Sequence, residues 1–515
     1  MLFGNSSINK TRINVVRALL IYFIFFSGAI CLAQKENNVW MLGNQLPNNN
    51  CGIDFNSGSP DTFSLTRDLN FFLTNASICD TSGSLLFYTN GLYIANRNHD
   101  TLFNSVNFNP GWATNYYAPY GLGIPQGALV VPRPDHYGQY YVFHESGELC
   151  DVSGRIVSQP LHLSCSMVDM SLDGGLGGID PNFKNKFVIN DTLIYGRMTG
   201  TRHANGRDWW VVVHRSDSDL YYKLLVTPDS IYGPYSQRIG SQDHWEKFTQ
   251  QCAFSPDGSQ YSMMLTVDTS TLYNVIDLMN FDRCTGLFSN SKEVIVPDSF
   301  LLYPGCSFSP NSRFLYISNQ IEIYQYDTWD PLMNANVQLV AQWDSFVSPL
   351  KTKFLFHQIA PDGKIYISTS EGSNVFHYIQ NPDLLGMACN VVQNSFFLPT
   401  NNDVCMPNEP NFSLGPVVGS VCDSLLNGII EVKNESIQLF PNPTTNQVTI
   451  SSSRTFLGNQ LKIINTFGAL MKISNLPDNQ NLTTISVEDL KPGIYTVEII
   501  SSTTILKTEK LVIIK

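Results

Sequence analysis

Residues 252–261, CAFSPDGSQY, constrain this chain more than any other stretch. Two apolar segments flank a Ser-Pro-Asp-Gly turn. The pattern returns at 306–316 (CSFSPNSRFLY) and at 357–366 (HQIAPDGKIY). Degenerate copies stand at 77–88 (SICDTSGSLLFY), 129–143 (LVVPRPDHYGQYYVF) and 202–214 (RHANGRDWWVVVH). Proline presets one backbone angle, Asp bonds to the backbone that follows it, and Gly accepts a positive φ. Asn311 is expected to take the left-handed position in its copy, because Asn tolerates that region.

Turn centres fall at Gly83, Gly138, Gly206, Gly258, Asn311 and Gly363. The last four are 52, 53 and 52 residues apart, and the earlier intervals of 55 and 68 are looser. A fixed internal period of this size signals a repeat architecture. Each unit holds several short strands rich in Val, Ile, Tyr and Phe, such as 209–213, 221–226 and 321–326. Four-stranded units arranged around an axis make a β-propeller. The fold class is therefore all-β: a propeller followed by a small Ig-like sandwich. Six turns are visible. A seventh blade follows if the N-terminal strands (38–66) close the ring with strands from the C-terminal side; six blades is the alternative. Closure matters because an open ring exposes sheet edges. Stacked sandwiches are the rival fold, and the regular spacing argues against them.

Charged residues make up 14% of the chain, against a typical ~25%. The net charge is −12 and no basic run is present. Nucleic-acid binding needs clustered cations to release counterions and is excluded as an expectation.

Residues 1–33 read as a secretory signal peptide, with Lys10, Arg12 and Arg17 before the apolar run 18–30 and small residues ahead of Gln34. The run is short of the ~20 residues a spanning helix requires. A lipoprotein at Cys31 is disfavoured by Ile30. After signal removal ten cysteines remain, which allows disulfides in an exported chain. Cys150–Cys165 and Cys389–Cys405 are the expected local pairs, whereas Cys252 and Cys306 hold equivalent repeat positions and are expected in the core.

The composition changes after Cys422. Residues 424–436 read as a linker, and 437–515 as a sandwich of alternating strands. Its markers are LFPNPTTNQVTI (439–450), LKIINTFG (461–468), LKPGIYTVEI (490–499) and KTEKLVII (507–514). These closely resemble the type A C-terminal sorting domain of the type IX secretion system. Pro441, Asn442, Pro443, Lys491, Pro492, Gly493 and Tyr495 carry the resemblance. It implies Sec export, handling by the type IX machinery at the outer membrane, and release or attachment at the cell surface. The runs WMLGNQLPNNNCGIDFNSGSP (40–60), CDTSGSLLFYTNGLYIANRN (79–98), VDMSLDGGLGG (168–178) and FDRCTGLFSN (281–290) resemble a group of secreted propeller proteins common in Bacteroidetes. That likeness spans 37–423 and implies no particular activity.

Catalytic signatures are missing from the sequence. His144-Glu145 does not continue to HExxH, and Gly305–Ser309 lacks the closing Gly of a nucleophile elbow. The turns are a residue shorter than the sialidase motif S-x-D-x-G-x-x-W and lack its Trp. Asp169, Asp173 and Asp180 flank a Gly-rich run and are the candidate Ca²⁺ ligands, against the plain reading of a turn. His203, Asp208, Trp209 and Trp210 are the candidate binding residues, against the plain reading that Trp at alternating positions packs between blades. Asp257 and Asp362 read as turn formers.

Three functions stay open: a non-enzymatic binding module for a glycan, peptide or protein; a secreted hydrolase at the channel mouth; and a structural component of the cell surface. Carboxylates and imidazoles converging at one channel end would favour catalysis, whereas amides and aromatics would favour binding. The degenerate repeats, above all 168–210, are the expected location of function.

Overall fold

The computed structural model describes residues 34–44, 49–152, 155–242, 250–268, 273–296, 305–423, 437–452, 455–456, 459–465, 470–501 and 504–514. The segments read above as signal peptide and linker lie outside them. The chain divides into two compact units, 1–426 and 427–515.

Among the described residues, the first unit carries seven antiparallel sheets in chain order. They span 39–66, 76–96, 128–189, 199–238, 252–295, 305–342 and 354–402. The last four are simple four-stranded meanders. The first two have three strands each. The third is interrupted by a separate hairpin, Gly147–Val152 with Arg155–Pro160. A short helix, Trp112–Tyr117, lies in the connection before it.

Neighbouring sheets share apolar clusters all the way round. The second, third and fourth share one, the fourth and fifth another, then the fifth and sixth, and the sixth and seventh. The seventh meets the first and second in a further cluster containing Trp40, Tyr366 and Cys405. The ring is closed and seven-bladed. Alternation along a strand sends successive side chains to opposite neighbours. Trp209 accordingly joins the third–fourth cluster and Trp210 the fourth–fifth cluster.

The inner strands of the second to seventh sheets end in the repeated turns, which define one face of the ring, here the turn face. In the fifth, the Asp257 carboxylate accepts from Ser255 Oγ (2.6 Å) and from the Ser259 amide (3.0 Å), and Gly258 has φ +71°. In the sixth, Asn311 Oδ1 accepts from Ser309 Oγ and the Arg313 amide instead. The left-handed residue there is Ser312, φ +63°, which corrects the expectation for Asn311. Asn311 fills the place of Asp257, and its carboxamide oxygen performs the same capping. Gly83, Gly138 and Gly206 also have positive φ, so the degenerate copies keep the turn.

The first sheet is inverted. Its inner strand, Val39–Leu42, runs antiparallel to the inner strand Ala76–Cys79 of the second sheet. Asn75 Nδ2 donates to Met41 O, Ser77 Oγ to Val39 O, and the Cys79 amide to Glu36 O. Residues 403–411 pass on the channel side of this sheet and take the place of an innermost strand. Side chains hold them, without a backbone ladder. The ring thus closes with N-terminal strands and a C-terminal segment, as the sequence led us to expect.

The disulfide that forms is Cys284–Cys422, Cα–Cα 5.7 Å. The expected local pairs do not form. Cys165 is buried opposite Phe143, Cys389 lies in the sixth–seventh cluster, and Cys405 contacts Asn75 and Asn402. Cys252 and Cys306 are buried thiols in the core.

The second unit packs two sheets over one apolar core. One sheet has three strands (Gln438–Phe440, Gln447–Ser451, Leu482–Ser486). The other has four, in the order Leu470–Asn475, Asn459–Asn465, Gly493–Ser501, Thr504–Ile513.

Candidate functional site

The centre of the ring is built from amides. Asn75, Gln126 and Gln251 stand one or two residues before the inner strands of the second, third and fifth sheets. A side-chain amide offers a donor and an acceptor, the same pair a neighbouring strand would present. Gln126 accepts from the Cys252 amide (2.9 Å) and donates to Cys252 O (3.1 Å) across the channel. Gln251 accepts from the amides of Cys306 and His357 (3.1 Å each) and donates to His357 O (2.7 Å). Asn408 donates to Ala128 O and Met198 O (2.9 Å each) and to Asn75 O through its own backbone. With Asn75 reaching Met41, these four residues bond to backbone in, or one residue before, the inner strands of all seven sheets. They cross the channel at the end away from the turns.

The C-terminal segment continues from this belt toward the turn face. Glu409 accepts from Trp40 Nε1 (3.0 Å) and Ser77 Oγ (3.3 Å). Asn411 Nδ2 donates to Pro256 O (2.8 Å). Phe412 packs edge-on against Trp209, and the Val417 amide donates to Ala204 O. Arg283 donates to the carbonyls of Arg202, His203, Asp257 and Gly415, and beside it Cys284 anchors Cys422.

This segment fills the side of the channel nearest the first four sheets. A cavity of about 490 Å³ remains on the other side. Inner strands of the fourth to seventh sheets line it, together with residues 408–411 and Ser413, the N-terminal residues Gln34, Lys35, Asn37 and Asn38, and the turn residues Pro256, Pro310, Pro361 and Gly363 at the turn face. Its polar lining includes Thr199, Thr201, Gln251, Gln358, Asn411 and the charged Lys35. Backbone adds to it. Cys252 and His357 turn their N–H and C=O to the amide belt, so the residues two further on, Phe254 and Ile359, turn theirs to the cavity.

Lys35 brings an ammonium group to the wall, and two further ionisable side chains there, Glu409 and His357, are already engaged. Glu409 is half-buried at the wall, and burial holds its carboxyl well above the usual range against the two donors it accepts from. His357 is pushed down to about 3 by burial, with a lesser contribution from His377. Its Nε2 pairs with Ser318 Oγ at 3.0 Å. Neither group is presented to a bound molecule as a general acid or base at neutral pH.

The sequence-derived candidates lie elsewhere. His203 and Asp208 are both buried. His203 Nε2 bonds Cys284 O, Asp208 pairs with Arg207, and the His203 amide donates to Asp208 O. Trp210 Nε1 donates to Arg283 O (2.9 Å), and Trp209 lies under Arg202. Trp209 and Trp210 pack between different pairs of blades, and the four residues are not gathered into one open site. Asp169 accepts from Ser171 and Gln139, Asp180 accepts from the Asn182 amide, and Asp173 sits in a one-turn 3₁₀ helix. The Asp169 and Asp180 carboxylates serve their own turns, and the three carboxylates do not converge. Among the described residues no three His, Cys, Asp or Glu side chains come together as a metal site.

In the second unit the motif residues gather around the last strand. Asn442 Oδ1 accepts from the Val512 amide (2.9 Å), and Asn442 Nδ2 donates to Lys510 O. Thr444 exchanges backbone bonds with Val512 and Ile514, Gly493 pairs with Ile513, and Tyr495 Oη donates to Lys491 O (2.8 Å). Pro441, Pro443 and Pro492 flank these contacts.

Residues 438–515 match the family described as secretion system C-terminal sorting domain. About three quarters of the chain is similar in path to several solved structures. One is a putative 6-phosphogluconolactonase from Bacteroides uniformis, at 12% identity and TM-score 0.36, covering 73% of this chain and 98% of that one. Another is a protein from Lactobacillus plantarum, at 12% and 0.37, covering 72% and 98%. A third is a Myceliophteria thermophila Cps50 (Swd1) β-propeller domain, at 8% and 0.30, covering 75% and 96%. No curated protein matches the chain in sequence.

Proposed function

We infer, for a chain whose residues 438–515 belong to the C-terminal sorting domains of the type IX secretion system, that the exported propeller is a binding module. Its ligand enters the channel from the turn face. The observation that supports this reading is the character of the 490 Å³ cavity. Its wall presents amides, hydroxyls, strand backbone and one ammonium, that of Lys35, while its carboxyl and imidazole are tied to Trp40, Ser77 and Ser318. Such a wall offers many neutral hydrogen bonds and suits a compact, hydroxyl- or amide-rich ligand, a short glycan or peptide segment. Binding sites typically combine an apolar wall with a few convergent polar groups. Here Phe55, Ala253, Phe254 and Ile359 supply the apolar part.

The path to that ligand begins with Sec export and ends with outer-membrane translocation and display or release, in a Bacteroidetes-type envelope. Among the described residues no helix is long and apolar enough to cross a membrane.

A glycan and peptide array with purified 34–423 tests the binding reading. Hits should weaken at least tenfold in Gln358→Ala and Asn411→Ala. Hits insensitive to both variants would place the site elsewhere. Turnover of a hit would favour the hydrolase reading. Deleting 437–515 should leave the propeller in the periplasm; its normal appearance in the medium would overturn the export route.

A further inference from the structure

Cys252 and His357 each meet a carboxamide in the same way. Gln126 accepts from the Cys252 N–H and donates to its C=O, and Gln251 does the same for His357. Gln237 repeats the pairing on Phe288, in the outer strand of the fifth sheet, at 3.0 and 2.7 Å. In an antiparallel strand every second residue turns its N–H and C=O away from its ladder partner. A primary carboxamide matches such a residue, because its acceptor oxygen and donor nitrogen are separate atoms in one plane.

Phe254 and Ile359 stand two residues further along the same strands, toward the turn face. Gly200 holds the corresponding place in the fourth sheet, two residues after Met198, whose carbonyl accepts from Asn408. All three line the channel cavity, and by the same alternation their N–H and C=O turn into it. Gln358 Nε2 reaches Ile359 O at 3.3 Å. Among the described residues no carboxamide takes up the Phe254 or Gly200 pair. The rung above the belt is open, and the belt displays the group that fits it.

Charge narrows the fit. Lys35 lines the cavity and forms no ion pair among the described residues. The next residue, Glu36, accepts from the Cys79 amide just ahead of the second sheet's turn, which puts Lys35 at the turn-face end. The carboxyl at the wall, Glu409, is engaged by Trp40 and Ser77.

We propose that the channel takes a peptide segment carrying an Asn or Gln side chain with an acidic residue near it. The carboxamide meets Phe254 or Gly200 as Gln126 meets Cys252, and the acid lies toward Lys35 at the mouth. Main-chain hydrogen bonds to open strand edges are a recurrent means of peptide recognition. A sugar hydroxyl puts donor and acceptor on one oxygen and matches the separated pair less well. The opposite charge adds specificity and speed of association. This assignment rests on the channel-binding reading and narrows its ligand to one class.

Calorimetric titration of the mature chain tests it with tetrapeptides bearing acetyl and methylamide caps. The probes are Gly-Asn-Gly-Asp, Gly-Leu-Gly-Asp and Gly-Asn-Gly-Ser, with cellobiose as the sugar. Leucine has the shape of asparagine without its donor and acceptor. The first peptide should bind saturably, and the leucine peptide at least tenfold more weakly. Lys35→Met should weaken the first peptide at least threefold and leave the serine peptide unchanged. In the complex, hydrogen exchange should slow at least fivefold at the Phe254 or Gly200 amide. The Ala253 amide, paired within its ladder, should not change.

Equal affinity for the asparagine and leucine peptides overturns the proposal. So does an equal effect of Lys35→Met on the aspartate and serine peptides, or a saturated complex in which Phe254 and Gly200 stay unprotected. Cellobiose binding that is lost in Gln358→Ala, with no peptide bound, overturns it while leaving the channel-binding reading in place. Binding by none of the four probes overturns it as well, and the array then decides the wider reading.

Discussion

The Trp40 indole N–H donates to the Glu409 carboxylate at 3.0 Å, joining the first sheet to the closing segment across 369 residues of sequence. The residue is half-buried, and burial raises the carboxyl's affinity for the proton. The sign follows from linkage. Below the unfolded-state value of ~4.5 both states are protonated and the group is neutral to stability. Above it the unfolded chain ionises while the folded one resists, so stability falls with rising pH, by up to about 1.4 kcal/mol per pH unit inside that window. Glu409→Gln removes the titrating proton and keeps an oxygen for Trp40. The variant should match wild type in urea midpoint at pH 4 and exceed it increasingly toward pH 8. A constant difference across that range would show that Glu409 does not titrate in this way.

The Cys284–Cys422 bridge closes a loop of 138 residues and pins the closing segment where it leaves the ring. A cross-link over such a span contributes roughly 2–4 kcal/mol, mainly by restricting the unfolded chain. Cys422→Ala should lower the thermal midpoint of the propeller, and dithiothreitol should lower wild type to the same value. The reductant should leave Cys422→Ala unmoved. An additional drop in the variant would reveal a second bridge.

The repeat was legible because its turns require particular residues. Asp257 and Gly258 each do a job few residue types can do, so the 52-residue period survives in the sequence. The sorting module was legible for a related reason, since Asn442, Gly493 and Tyr495 fix the last strand. The channel was not. Its belt depends on Asn75, Gln126, Gln251 and Asn408, which are common surface residues with no local signature. Their only trace is an amide just ahead of an apolar strand in NASIC, QGALV and QCAFS. What each one bonds lies on the far side of the ring and cannot be read from neighbours in sequence. Likewise, Trp209 and Trp210 looked like a binding pair because adjacency in sequence hides their opposite burial between different blades.

Gln251 satisfies three backbone groups in two sheets. Gln251→Ala would leave the His357 carbonyl and the Cys306 and His357 amides without their partner at the channel wall. Each such loss costs about 1–3 kcal/mol when water cannot replace the bond, and the adjoining cavity offers partial access. A total of about 2–4 kcal/mol is expected in urea unfolding. Gln358→Ala, at the same wall with its side chain donating only to Ile359 O, should cost less than ~1 kcal/mol. Equal losses would mean that the belt does not hold the ring together.

Asn442 sits exposed beside the final strand and bonds its backbone from both ends of the carboxamide. Water competes at such a site, so Asn442→Ala should cost only about 1 kcal/mol in the unfolding of the second unit. The local effect should be larger than the global one. The Val512 amide loses its acceptor, and this end of the strand has only the Thr444 and Gly493 neighbours left to hold it. Hydrogen exchange at Val512 should accelerate at least fivefold, while exchange at Val497 in the adjoining core strand changes little. Uniform acceleration at both positions would mean that Asn442 supports the whole sandwich rather than the seating of its last strand.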